Sequence, residues 1–225
     1  MEFKSVNLDQ PYSSLDIYHS NSDKALPSLV ILPGGSYNQI MERDSERVAL
    51  TFATHAWQTF VVRYPVVEHK NYEEAKIAVH QAFEYIINHA DELDVDVDRL
   101  GIIGFSAGGQ IAAALGYPVI QPLIDERMGV TTENVAKLVN PQTPPTFMWG
   151  SAKDELTPFV DHLQVYADAL IKHDVPYELH EFSTGGHGIA LANEYTGIVN
   201  NDRIDTHMGR WFPLFLEWLT DLNLI

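Results

Sequence analysis

The residues best suited to covalent chemistry are a serine set between two glycines, Gly104-Phe105-Ser106-Ala107-Gly108. This G-x-S-x-G spacing suits a serine on a very sharp strand-to-helix turn. Side chains two residues before and two after the serine would collide there, so both positions need glycine. The turn lifts the hydroxyl clear of the sheet. It also aims the N-terminus of the next helix at the reacting group, where it favours developing negative charge. Five residues alone are a weak signal, and the rival reading is a Gly-rich turn with an incidental serine. The context strengthens the first reading: an apolar run, Leu100 to Phe105, precedes the turn, and a helix-forming run, Gln110 to Leu115, follows it.

A serine hydroxyl needs a base to act as a nucleophile. In α/β enzymes built on this turn, the acid and then the histidine follow the serine, each on a loop after a strand. Asp154 and His187 occur in that order. Asp154 follows the apolar run ending at Trp149-Gly150, with Glu155 and Asp161 as its rivals. His187 lies in Gly185-Gly186-His187-Gly188, and glycines on both sides suggest close backbone approach in a defined loop. Of the other nine histidines, His55, His80, His89, His162 and His173 fall in predicted helices and read as solvated. His19, His69, His180 and His207 lack a glycine-lined loop. An oxyanion needs backbone N–H donors. Ala107 supplies one, and Pro33-Gly34-Gly35-Ser36-Tyr37 follows an apolar strand where a second donor loop is expected.

Positioning these groups calls for short core strands alternating with amphipathic helices. Strands are expected at Leu29 to Leu32, Thr59 to Val62, Leu100 to Phe105, Thr146 to Trp149 and Tyr177 to Phe182. Helices are expected at about 44 to 55, 72 to 91, 110 to 115, 158 to 173 and 207 to 221. Residues Phe3 to Tyr18 are candidates for edge strands. Residues 117 to 144 give no clear reading. The string describes one α/β domain over residues 1–225, with a mainly parallel, doubly wound sheet.

Composition narrows the function. Fourteen Lys and Arg stand against 31 Asp and Glu, a formal net charge of -17. So acidic a chain repels phosphate backbones, which argues against nucleic-acid binding and polyanionic substrates. With no cysteine, thiolate catalysis, disulfides and cysteine metal sites are excluded. Met1 to Asn7 has no basic start followed by an apolar run, and no stretch approaches the roughly 20 apolar residues of a membrane span. The expectation is a cytoplasmic protein without membrane contact.

With these residues assembled, the chain resembles the acetyl-esterase branch of the α/β hydrolases, the acetylxylan-esterase-like or xylanase-associated esterases. The likeness runs from about Leu29 to Trp218. It rests on Leu32-Pro33-Gly34-Gly35, Gly104 to Gly109, Pro144-Pro145-Thr146-Phe147 leading to Asp154, and Glu178-Leu179-His180 leading to Gly186-His187-Gly188. The resemblance implies the α/β-hydrolase fold and hydrolysis of short-chain acyl esters of small neutral molecules, acetylated sugars among them. It also implies an acyl-enzyme, with neither metal nor organic cofactor. Carried over, Ser106, Asp154 and His187 form the triad, and Gly34, Gly35 and Ala107 line the oxyanion hole. Ser36, Tyr37, Tyr64 and Gln110 are candidates for the substrate pocket. A small-substrate amidase or peptidase on the same fold, and a binding protein that kept the fold, are the alternatives. Oligomeric state stays open, a homodimer included.

Three departures from that pattern stand out. The donor loop is Pro-Gly-Gly-Ser, not His-Gly-Gly-Gly. Gln110 stands where relatives carry a histidine. Leu115-Gly116-Tyr117-Pro118 follows the elbow helix almost at once, which predicts a reduced cap. Activity is expected to fall as pH drops below about 6.5, the ordinary histidine value, as the base becomes protonated.

Overall fold

The structure, a computed structural model, describes residues 1–115, 134–197 and 204–225. The described residues fall into two compact units, residues 1–112 and residues 113–115, 134–197 and 204–225. The reduced-cap expectation falls on residues 116–133 and lies outside the described residues.

The first unit is built on five strands: β1 Glu2–Asn7, β2 Ser14–His19, β3 Leu26–Leu32, β4 Gln58–Arg63 and β5 Val95–Gly104, in the spatial order β1-β2-β4-β3-β5. β3 is fully buried along its seven residues, as expected of a strand with covered faces. It pairs in parallel with β4 on one side and β5 on the other. β2 runs antiparallel to β4, and β1 antiparallel to β2. The sheet is therefore mixed, with a parallel centre and an antiparallel edge, and Phe3 to Tyr18 supply that edge.

β2 evades a pattern search because its buried stretch includes Asp16. That carboxylate accepts from Ser5 Oγ at 2.7 Å and from Arg63 Nε at 2.6 Å, which satisfies a charge that burial would otherwise penalise. Helix α1, Glu46–Ala53, buries Val48, Ala49 and Phe52 and packs on β4. Helix α2, Tyr72–Asn88, buries Tyr72, Ala75, Ala78, Val79, Ala82 and Ile86 at helical spacing. Asn71 starts it, its side chain accepting from the N–H groups of Glu73 and Glu74. Helix α3, Ala107–Leu115, begins directly after Ser106.

The second unit contains β6, Thr146–Ser151, and β7, Tyr177–Phe182, paired in parallel. Alternation along β6 sends neighbours to different clusters. Met148 joins Tyr166, Ala167 and Leu170 of α4, Leu163–Lys172. Phe147 packs on Phe215 and Trp218 of α5, Trp211–Asp221, and Trp149 stacks on Trp211 with ring centroids 4.0 Å apart. Among the described residues no helix is long and apolar enough to cross a membrane.

Candidate active site

Ser106 occupies the turn between β5 and α3 with φ 53°. A non-glycine residue in that region costs about 1–3 kcal/mol and persists only where its surroundings impose it. Here the packing does so. A Cβ on Gly104 would run into the backbone of Gly108, and one on Gly108 would run into the carbonyls of Leu32 and Pro33. Phe105 N–H donates to Leu32 O at 3.0 Å, and Gly108 N–H donates to Phe105 O at 2.9 Å. The two glycines thus have the reason expected from sequence, with the end of β3 as an added neighbour. Ala107 N–H belongs to the first turn of α3, whose N–H groups have no acceptor within the helix.

The loop after β3 lies beside the nucleophile. A Cβ on Gly34 would meet Phe105 O at 2.9 Å and Ser106 Cβ at 3.1 Å. Gly35, Ser36 and Tyr37 follow with φ 134°, 53° and 57°, three left-handed residues in a row. Side-chain-bearing residues pay about 1–2 kcal/mol each for that hand.

The structure corrects four of the sequence-based assignments in this unit. Gly34 N–H donates to Asp44 Oδ2 at 3.1 Å, so Gly34 is no longer a candidate oxyanion donor, whereas Gly35 and Ala107 stay candidates. Tyr37 and Tyr64 are fully buried and do not line a substrate pocket. Tyr37 donates its hydroxyl to Gln110 Oε1 at 3.1 Å, and Tyr64 donates to Pro33 O at 2.5 Å. Burial, with the Asp44 charge adding, pushes the Tyr64 phenol far up, so it stays a neutral donor. Gln110 is likewise buried and serves the loop through Tyr37. Ser36 is half-buried.

In the second unit, Asp154 and His187 occupy the loops that leave β6 and β7. Because those strands are parallel neighbours, both loops emerge at the same end of the pair. Ser151 Oγ donates to Thr184 O at 2.9 Å, and Ala152 N–H donates to Phe182 O at 2.8 Å, tying the loops together. His187 Nδ1 lies 2.8 Å from Asp154 Oδ2. With the carboxylate ionised, Nδ1 carries the proton and Nε2 is left as the basic nitrogen. The two side chains retain 23% and 11% of their exposure, enough burial to strengthen the contact and enough opening for chemistry.

Asp154 has further partners. Leu156 N–H and Thr157 N–H each donate to Oδ1 at 2.9 Å, and Thr157 Oγ1 donates to Oδ2 at 2.7 Å. Burial alone would raise this carboxyl. The His187 contact, the Thr157 N–H, the histidine's charge and the Thr157 hydroxyl outweigh it and hold the pKa at about 2. Thr157 was not singled out from sequence, although a threonine three residues after an aspartate is a recognisable turn signature. Its Oγ1 is also 3.1 Å from His187 Nδ1. Glu155 and Asp161 are exposed, which leaves Asp154 as the histidine's partner.

Two histidine-based expectations change. His162, expected on a solvated helix face, is 6% exposed. Burial pushes its imidazole below the ordinary range, Asp161 and Asp154 oppose that, and His187 adds to it. Close approach, expected of the glycines around His187, holds only in part: a Cβ on Gly185 would fall 2.5 Å from Met208 Sδ and 3.1 Å from Ile189 Cδ1. Gly185 and Gly188 have φ 84° and 66°, while a Cβ on Gly186 would meet nothing within 4 Å. Trp211 Nε1 donates to Ala190 O at 2.9 Å and anchors the downstream side of this loop.

Known proteins resemble this chain in sequence and fold. The BD-FAE family model matches residues 15–140. A sugar hydrolase from Lactococcus lactis superposes with a TM-score of 0.87 at 26% identity, covering 100% of both chains. An acetyl ester-xyloside bifunctional hydrolase from Caldicellulosiruptor lactoaceticus superposes with a TM-score of 0.81 at 25% identity, covering 95% of this chain and 89% of that one. Endo-1,4-beta-xylanase B from Butyrivibrio fibrisolvens is 25% identical over 80% of this chain, which spans 35% of that protein.

Proposed function

The chain belongs to the BD-FAE family and has the α/β-hydrolase fold, and on that footing we propose that it is a serine carboxylesterase acting on short acyl esters of small neutral molecules. The observation that carries the reading is the left-handed Ser106, φ 53°, on the turn between β5 and α3, a conformation kept for a hydroxyl that must be presented for attack. Similarity to hydrolases of an acetyl ester and of sugars supports the ester bond and points to acetylated sugars as the alcohol.

In this reading His187 Nε2 takes the proton from Ser106 as the hydroxyl attacks the ester carbonyl. Asp154 holds the imidazole in the Nδ1–H tautomer and stabilises the cation that forms. The N–H groups of Gly35 and Ala107 receive the oxyanion. His187 then protonates the leaving alcohol, and water attacks the acyl-enzyme in the second half-cycle. Neither metal nor organic cofactor enters any step. The reading extends to a cytoplasmic setting, with imported acetylated oligosaccharides as substrates rather than polymeric xylan.

Hydrolysis of p-nitrophenyl acetate, butyrate and octanoate by the wild type and by Ser106→Ala tests it. The acetate is expected to be turned over best, with kcat about 10⁴-fold lower or less in the variant. A wild type no faster than Ser106→Ala on all three esters overturns the reading and brings amide substrates or a binding role forward.

A further inference from the structure

The left-handed run Gly35-Ser36-Tyr37 needs something to hold it. Val67 N–H donates to Tyr37 O at 2.9 Å, and Met41 N–H donates to Gly34 O at 3.1 Å. Tyr37 is fully buried and bound to Gln110. The remaining tie is a charge: Asp44, 1% exposed, accepts the Gly34 N–H on Oδ2. Arg43 Nε lies 3.3 Å from Asp44 Oδ1, the cation such burial demands. Gly34 is therefore wedged against both the carboxylate and Ser106, a Cβ on it falling 3.0 Å from Asp44 Oδ2 and 3.1 Å from Ser106 Cβ.

We propose that Asp44 is the positioning residue of the oxyanion loop, and this rests on the ester-hydrolase reading above. A backbone N–H is a single donor, and a charge-assisted bond to a buried carboxylate is a strong claim on it. Asp44 thus withdraws Gly34 from the reaction and fixes the next peptide. The Gly35 N–H, with that of Ala107, is then what meets the developing oxyanion. Arg43 offsets the carboxylate's charge, which would otherwise oppose negative charge building nearby. The working part is the acceptor for Gly34, and Arg43 serves only to offset the charge that acceptor carries.

The test compares wild type, Asp44→Ala and Asp44→Asn for kcat and KM on p-nitrophenyl acetate and for inhibition by a methyl trifluoromethyl ketone. The ketone adds to the serine and places an oxyanion in the donor set, so it reads the loop without turnover. Asp44→Ala is expected to lose about 10- to 100-fold in kcat, with KM within about twofold and ketone affinity falling by the same factor as kcat. Asparagine keeps an acceptor for Gly34 and is expected to restore kcat to within about threefold of wild type. Asp44→Leu, of the same branched shape and without an acceptor, replaces alanine if that variant does not fold and carries the same expectation. A purely structural role would lower the melting temperature and the active fraction while leaving the ketone inhibition constant unchanged. That result overturns the proposal, as does an asparagine variant as impaired as alanine. A wild type no faster than Ser106→Ala would instead sink the ester-hydrolase reading, a failure that appears before any Asp44 variant is measured.

Discussion

Ser106 is held by its main chain: it sits at φ 53°, and an extra methyl on either flanking glycine would strike backbone. Asp154 is held by its side chain: two backbone N–H groups, the Thr157 hydroxyl and His187 all donate to its carboxylate. Both residues must stay fixed, and the difference shows what each tolerates. A site fixed by close packing is sensitive to volume and nearly indifferent to pH. A site fixed by hydrogen bonds to a carboxylate is sensitive to polarity and to protonation.

The largest effect is expected from Asp154→Asn, which keeps the volume and removes the charge. The amide favours the wrong histidine tautomer, and kcat is expected to fall about 10⁴-fold, with a lower melting temperature at neutral pH because the depressed carboxyl's contribution to stability is lost with its charge. A fall of less than tenfold would mean that another group orients His187. Next comes Gly34→Ala, which changes volume and leaves polarity alone. Its new methyl would crowd Phe105 O, Asp44 Oδ2 and Ser106 Cβ at 2.9, 3.0 and 3.1 Å, and kcat is expected to fall about 10- to 100-fold on the same esters. If it does not, the loop beside Ser106 yields more easily than its contacts imply.

The smallest effect is expected from Thr157→Val, a few-fold loss in kcat. Its sharper signature lies in stability against pH. The Asp154 pKa is depressed, so its contribution to stability is present above the ordinary carboxylate pKa near 4 and is lost as pH falls through about 2. Valine removes one of the lowering donors, so the carboxyl's pKa rises and its contribution shrinks. The melting-temperature gap between wild type and Thr157→Val should be largest near pH 5 and should close toward pH 2. A gap that stays constant over that range would separate the Thr157 hydroxyl from the Asp154 charge.

What could be read from sequence divides along similar lines. β3, β4 and α2 were legible because each buries an apolar run or a helical stripe, whereas β5 was legible only from Leu100 onward, since Asp96 and Asp98 break the pattern of its first half. β7 has the expected span, Tyr177–Phe182. β1 and β2 were only loosely legible, since β1 is largely exposed and β2 buries Asp16 among its apolar residues. At the site, Asp154 and His187 could be found because loop position and glycine content mark them. Asp44 could not, because an aspartate within Glu42-Arg43-Asp44-Ser45-Glu46 looks like part of a solvated charge run. Its meaning appears only when the loop after β3 brings the Gly34 N–H to it. Tyr37 and Tyr64 were misassigned for the reverse reason: a tyrosine near a reactive loop looks like lining, and only burial shows that its hydroxyl is spent on the scaffold.

The stacked indoles of Trp149 and Trp211, with planes 8° apart, give this chain a built-in optical gauge. Rings in that geometry couple their electronic transitions and produce a paired circular-dichroism band that vanishes when they separate. Both belong to the second unit, whereas Trp57, packed edge-on against Phe52, is the tryptophan of the first. Urea titration followed by the paired band in the wild type, and by emission in a variant with Trp149, Trp211 and Trp218 replaced by phenylalanine so that Trp57 alone emits, would time the two halves separately. Coincident midpoints mean a single cooperative transition; separated midpoints mean that the unit bearing Ser106 and the unit bearing His187 unfold in turn.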